Sequence, residues 1–502
     1  MSASAPPSSV RSHRLSFREK AGYAVGDIAT NFFFQSMILY QNRFYTDTVG
    51  LSAVAVGWMF LLVRLCDAVF DPVIGALADR TMTRWGKFRP WVLATAIPFG
   101  LAFWLVYVTP HVGPHGKLAY AYITYILVMI FYSANNTPYS ALMGVMTPDV
   151  NERTNIARYR FVAALFGQFI IQALALPLVD KFGGGNSAKG WEITMAIFAA
   201  IMVLCNIVVF TTTRERVLPS PEQKPALRED VKNVVTCKPW LAMFILTVLL
   251  FTSLVLRGSS LNYFLQYYMD QASVAHFLKM VGLGVAGGGA ATGGRSILGA
   301  LGLLVKPDFS NAAAVGFSFF NSLGSVIQIG GILLSKPLAD RFGKKALFFV
   351  CLAVATLAQA AMVFVSPTNL KLLFLLNVLW PLAYGPTVPV LWVMIADVAD
   401  YSEWITSRRA TAFMYAGILF ALKAGLGLGG ALSGWLMAAY GYVPNAAQSA
   451  LAGLGIRLCN SVYAAIPFAL GLICLALYPI GKALNLRIQR ELEDRRAGFA
   501  QP

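Results

Sequence analysis

The stretch RLCDAVFDPVIGALADR, residues 64–80, sets Asp67 and Asp71 four apart inside an apolar run, with Arg64 three residues before the first. Four residues make about one helical turn, so both carboxylates face the same way. Stacked like charges repel. In a lipid-buried helix each also costs about 2.5–3.5 kcal/mol even on a lenient insertion scale. The rest of the chain decides whether this segment lies in lipid.

Composition places it there. Of 502 residues, 57% are hydrophobic and only 13% charged, against roughly 25% charged in soluble domains. The mean hydropathy is +0.62. About twelve apolar runs of membrane-spanning length recur along the chain. VGWMFLLVRLCDAVFDPVIGAL, WVLATAIPFGLAFWLVYV and ITMAIFAAIMVLCNIVVF are clear examples. The fold expected is an all-α membrane protein with twelve transmembrane helices in two six-helix pseudo-repeats. The expected divisions are an N-tail (1–20), a first bundle (21–212), a central loop (213–239), a second bundle (240–482) and a C-tail (483–502). A Gly-rich loop (271–308) interrupts the second bundle and is expected on the external side.

Basic residues set the orientation. They cluster in both tails and in alternate loops, among them DRTMTRWGKFRP, NERTNIARYR, DRFGKKA and the central loop. The positive-inside rule puts these loops and both termini in the cytoplasm. The net charge of +17 follows from that topology. The basic residues are spread over loops and gathered on no one face, so a nucleic-acid partner is not expected. The polar, basic N-terminal stretch has no apolar core of the kind a cleavable signal peptide needs.

A short echo links the halves. GALADRTMTRWGKFRP follows the second span of the first half, and SKPLADRFGKKAL follows the second span of the second half. Each reads L-A-D-R and then G-K, as a duplicated architecture would. Asp79, Arg80, Asp340 and Arg341 are therefore expected to form a cytoplasmic gate, whose contacts to helix ends form in one conformation and break in another.

The chemistry inventory argues against an enzyme. The six cysteines form no CxxC pair, and the four histidines (His13, His111, His115, His276) lie in tails or loops. No metal or triad constellation is visible, and no cofactor is expected beyond a coupling cation, H⁺ or Na⁺. GLGVAGGG (282–289) matches GxGxxG, but a Gly-rich loop with no preceding strand lacks the context a nucleotide site needs.

Across nearly all its length the chain resembles the glycoside–pentoside–hexuronide:cation symporters of the major facilitator superfamily, melibiose permease-like. The resemblance is carried by YAVGDIATNFFF, FYTDTVGLS, RLCDAVFDPVIGALADRTMTRWGKFRPW, NNTPYSAL, MIADVADYSEW and ALKAGLGLGGALSGWL. It implies uptake of a sugar or glycoside coupled to inward cation flow, in a bacterial inner membrane, by a monomeric carrier. It implies that Asp67 and Asp71 form the cation site, with Ser133 adding a hydroxyl. Lys423, in a span of the second half, and Arg64 are the charge partners. Two close carboxylates in low dielectric need a cation, a proton or a basic partner, which is the same conclusion from physics.

On the sugar side, relatives use carboxylates where this chain has Asn31 and Asn136. Amides both donate and accept, so they still suit hydroxyls. Asp27 either substitutes for the missing carboxylate or makes a bond between helices. Arg160 and Arg257 are further polar candidates, and Arg257 could equally snorkel. Tyr384 and Trp392 either stack on a pyranose face or pack. Two other readings of the whole chain are a symporter of an amphipathic lipid and a non-transporting membrane sensor. Phe70, beside Asp71, sits where some sodium-using relatives carry an amide oxygen. A proton needs one carboxylate and sodium several oxygens, so proton coupling is expected.

Overall fold

A computed structural model describes residues 15–147, 149–216, 236–284, 294–406 and 411–499. The described residues are almost entirely helical. The first half holds α1 (Phe17–Leu39), α2 (Ala53–Arg80), α3 (Arg89–Val106), α4 (Pro114–Met146), α5 (Val150–Gly183) and α6 (Ser187–Thr212). The second holds α7 (Lys238–Tyr263), α8 (Ala312–Phe342), α9 (Lys344–Ala361), a broken α10 (Leu370–Tyr384 and Thr387–Thr406), α11 (Thr411–Ala439) and a broken α12 (Ala450–Cys459 and Val462–Leu477). A polar helix α13 (Lys482–Phe499) follows.

Local chemistry sets the ends. Ser16 and Glu19 form a reciprocal capping box that starts α1, and the side chains of Ser52 and Asn186 cap α2 and α6, satisfying amides that a helix start leaves free. The break in α10 falls at Gly385–Pro386, where proline lacks the N–H that would continue the helix. Eleven described helical stretches are long and apolar enough to cross a membrane. The remaining helix of the expected twelve, α1, is 23 residues long and carries Arg18, Glu19, Lys20 and Asp27. Large apolar side chains such as Leu62, Val162, Leu204, Leu333, Leu357 and Ile473 point outward and exposed, as a lipid-facing surface requires.

The helix packing repeats with an offset of six. In the first half α1 packs on α5 and α6, α2 on α4, and α3 on α4 and α6. In the second half α7 packs on α11 and α12, α8 on α10, and α9 on α10 and α12. The halves meet through α2 with α11 and α5 with α8, pairs that exchange under the same offset. This is the internal repeat suggested by the two L-A-D-R loops.

The α2–α11 crossing is close because it lacks side chains. A Cβ on Gly434 would sit 2.4 Å from the Ala53 carbonyl oxygen. Small residues at such crossings let two backbones approach. Gly434→Val is therefore expected to lower stability by about 1–3 kcal/mol through overpacking, read as a lower unfolding temperature of the purified protein. An unchanged temperature would show slack at the crossing.

The segment expected as a Gly-rich loop contains more structure than its composition suggests. Gln271–Met280 and Gly294–Ala300 are helical, and Gly284 bridges to Val305. Lys306 Nζ lies 2.6 Å from Asp180 Oδ2, and Lys181 donates to the Ala300 carbonyl, so the segment docks on the end of α5. Residues 285–293, with most of the GxGxxG match, lie outside the described residues.

Candidate functional site

The opening pair is met by a cation from the other half. Lys423 Nζ, on α11, lies 2.9 Å from Asp67 Oδ2 and 2.7 Å from Asp71 Oδ2. Arg64 Nη1 is 3.5 Å from Asp67 Oδ2, and Ser133 Oγ donates to Asp67 Oδ1 at 3.1 Å. Two formal negative charges therefore face two positive ones. The two acids differ in access: the Asp67 side chain is 0% exposed and that of Asp71 34%. Pro72 follows Asp71 within α2 and removes one rung of the helical ladder at this turn. Gly427, one turn past Lys423, makes room for Arg64, whose Cβ would lie 2.8 Å from a Cβ added there.

A second charged group joins α1 to α5. Arg160 Nε and Nη2 reach Asp27 Oδ2 and Oδ1 at 2.7 and 3.0 Å, a bidentate pair with planar geometry. Tyr139 Oη donates to Asp27 Oδ2 at 2.6 Å, and the Arg160 guanidinium lies over the Tyr23 and Tyr139 rings at 5.5 and 4.9 Å. Asn31 and Asn136 do not join it. Asn31 Nδ2 donates to the Asp27 carbonyl on its own helix, and Asn136 Nδ2 to Tyr132 Oη, also four residues away. Asp27 is thus the acid that Arg160 takes.

Between the halves lies a cavity of about 240 Å³, lined from α1, α5, α7, α8 and α10. Arg257 and Tyr384 line it, whereas Asp27, Asn31, Asn136, Arg160 and Trp392 are not among its lining residues. Trp392 packs half-buried against the core. Its polar wall is made of amides that the sequence reading passed over, including Gln35, Gln168, Gln172, Asn321, Gln328 and Asn377. Spacing offered a signal: Gln35 is eight residues after Asp27 and Gln168 eight after Arg160, the same face two turns on. Ser325 Oγ donates to Gln172 Oε1 at 2.6 Å, tying the halves at the cavity wall.

The two ends of the bundle differ. At the end away from the termini, Asp47 accepts from Tyr267 Oη at 2.8 Å and Tyr442 Oη at 2.6 Å, and its carbonyl accepts from Asn445 Nδ2 at 2.5 Å. Arg43 donates to Asn262 Oδ1 and Gln266 Oε1. All these bonds cross from the first half to the second. At the terminus end Asp340 and Arg341 contact their own half. Lys482 Nζ donates to the Asp340 carbonyl at 2.7 Å, Arg341 lies 5.3 Å from the ring of its neighbour Phe342, and Arg80 is exposed. The Asp79 side chain lies outside the described residues. Glu215, absent from the expected set, accepts from the backbone amides of Lys87, Phe88 and Arg89 at 2.8–2.9 Å and so caps α3.

Two six-helix halves, a polar cavity between them and charges shared across their interface define a membrane carrier of the major facilitator architecture. The sequence pattern of the family described as MFS/sugar transport protein matches residues 22–292 and 285–482, and the chain belongs to that family. It is 35% identical over 462 residues to the inner membrane symporter YicJ of Escherichia coli (strain K12), covering 91% of this chain and 90% of that one. It is 30% identical over 498 residues to the isoprimeverose transporter of Lactiplantibacillus pentosus, covering 99% and 95%. The crystal structure of the nucleoside transporter NupG shares the fold with a TM-score of 0.61 at 13% identity, covering 92% of this chain and 99% of that one.

Proposed function

We propose that this chain imports a sugar or glycoside by cation-coupled symport and alternating access. The observation that carries this reading is the bond from Lys423 on one half to both Asp67 and Asp71 on the other. A cation arriving at the carboxylates competes with the Lys423 ammonium. Its binding therefore changes a contact between the halves as well as a local charge, and coupling requires such a differential contact. The cavity between the halves holds the sugar, whose hydroxyls suit its amides. The relatives' names, an inner membrane symporter and an isoprimeverose transporter, agree with this reading.

The cross-half bonds around Asp47 make that end the closed one, and positive-inside topology makes it the external end. The expected gate of Asp79, Arg80, Asp340 and Arg341 lies at the opposite, cytoplasmic end in this reading. Reporters fused after Pro502 and in the central loop near residue 222 should read cytoplasmic, and one near Gly288 external. An external readout from either of the first two overturns the map.

The coupling ion in this reading is the proton. Asp71 is the accessible acid of the pair, and protonating it releases one of the two bonds that Lys423 makes. The test is uptake of a panel of radiolabelled sugars and glycosides into vesicles. Accumulation should follow an imposed proton gradient and vanish with uncoupler. Robust accumulation at fixed pH on a Na⁺ gradient with uncoupler present overturns the proton assignment. If no sugar accumulates on either gradient, the symporter reading fails.

A further inference from the structure

Arg257 is the cavity residue that the coupling scheme leaves unexplained. Its guanidinium carbon lies 3.9 Å from the centroid of the Trp380 ring. Trp380 is itself fixed in a stack, 4.9 Å from Tyr384 at 14° and 6.3 Å from Phe468 at 8°. The arginine therefore rests on a rigid aromatic wall.

A guanidinium lying on a ring uses its face and leaves its N–H edge free for a planar acceptor. Among the described residues no hydrogen-bond or carboxylate partner holds that edge. The other lining residues are apolar, amide or hydroxyl, with no aspartate or glutamate among them. Arg43 and Arg160 differ here, since each has a carboxylate of its own. So do Arg64 and Lys423. The cavity thus presents one fixed positive charge that none of the described residues balances. An intramembrane charge is retained where it meets a counter-charge or lines a functional cavity.

We propose that Arg257 receives an anionic group on the transported molecule, so that the substrate is an acidic glycoside carrying a carboxylate or sulfonate. This rests on the symport reading above and adds the substrate's charge class. The planar fork of Arg257 pairs with two oxygens of the acid, Trp380 holds the fork flat, and the amides Gln35, Gln328 and Asn377 serve the hydroxyls.

The test uses matched methyl hexosides of the gluco, galacto and manno series that differ only at C6, as CH₂OH, COO⁻ or CH₂SO₃⁻. Uptake into proteoliposomes under the coupling gradient is read as kcat/KM. The acidic member of at least one series should exceed its neutral partner by about tenfold or more, a factor that corresponds to one charge-assisted contact. The carboxylate and sulfonate arms show which acid is preferred. Arg257→Gln should bring the ratio close to 1, and Arg257→Lys should keep part of the preference, because it keeps the charge and loses the fork. If Arg257→Gln does not fold, competition of the acid against neutral sugar on the unmodified protein gives the same ratio. Accumulation of a neutral hexoside with indifference to its acid overturns the anion assignment alone. An acid preference that survives in folded Arg257→Gln also overturns it. Accumulation of no hexoside on any gradient overturns the symport reading and this inference with it.

Discussion

Asp67→Asn and Asp71→Asn are each expected to abolish gradient-driven accumulation, so that internal substrate rises only to the external concentration. Downhill exchange of substrate should persist, because neither acid lines the cavity. The two variants should differ in protein yield. Asp67 is fully enclosed and faces both Lys423 and Arg64. Removing its charge leaves buried cations short of a partner, a situation that costs about 3–5 kcal/mol in enclosed pairs. Asp71 is about a third exposed, so water screens the loss and Asp71→Asn should fold better. Lys423→Ala reverses the imbalance and leaves two carboxylates one turn apart. Adding Asp71→Asn to it should restore yield without restoring accumulation, since the contact between the halves that the cation displaces is gone. Accumulation like that of the unmodified protein in either single variant would show that the coupling ion binds elsewhere.

This cluster was legible in the sequence because ionisable residues inside apolar runs are rare and costly. Asp67, Asp71, Arg64 and Lys423 each stand out against their neighbours, and one-turn spacing already places three of them together on α2. The halves were legible for a similar reason, since a repeated loop marks a repeated helix pair. The partner of Arg160 was not. Asp27 and Asn31 are one turn apart on the same face of α1, and only the axial registry of α1 against α5 decides which of them the arginine reaches. The amide wall was missed because single Gln and Asn residues occur throughout such helices and carry no charge to flag them. Asp47 was missed because it lies at a helix end, where an acid reads as a solvated cap. Its value comes from Tyr267, Tyr442 and Asn445, residues more than 200 positions away, and no local pattern announces them.

Arg160→Ala is expected to have the second largest effect, through stability. It strips Asp27 of a bidentate partner and leaves the acid with the Tyr139 hydroxyl alone. Uncompensated charge in a fully enclosed pair costs about 3–5 kcal/mol. The loss here should fall below that range, because the side chains of Arg160 and Asp27 are 21% and 12% exposed. Asp27→Asn combined with Arg160→Gln removes both charges, keeps similar volume and permits an amide-to-amide bond. That double variant should recover much of the melting temperature lost by Arg160→Ala, a non-additive result expected of directly paired residues. The same protein decides what the pair does. Both donor edges of Arg160 that the structure shows in use are taken up by Asp27, and neither residue lines the cavity. The pair is therefore expected to act as a strut that sets α1 against α5 and positions Gln35 and Gln168, two turns along each helix, on the cavity wall. The folded double variant should transport with a raised KM and a kcat within a fewfold of the original. A double variant that folds and melts normally but accumulates nothing would assign Asp27 and Arg160 to direct contact with the sugar instead.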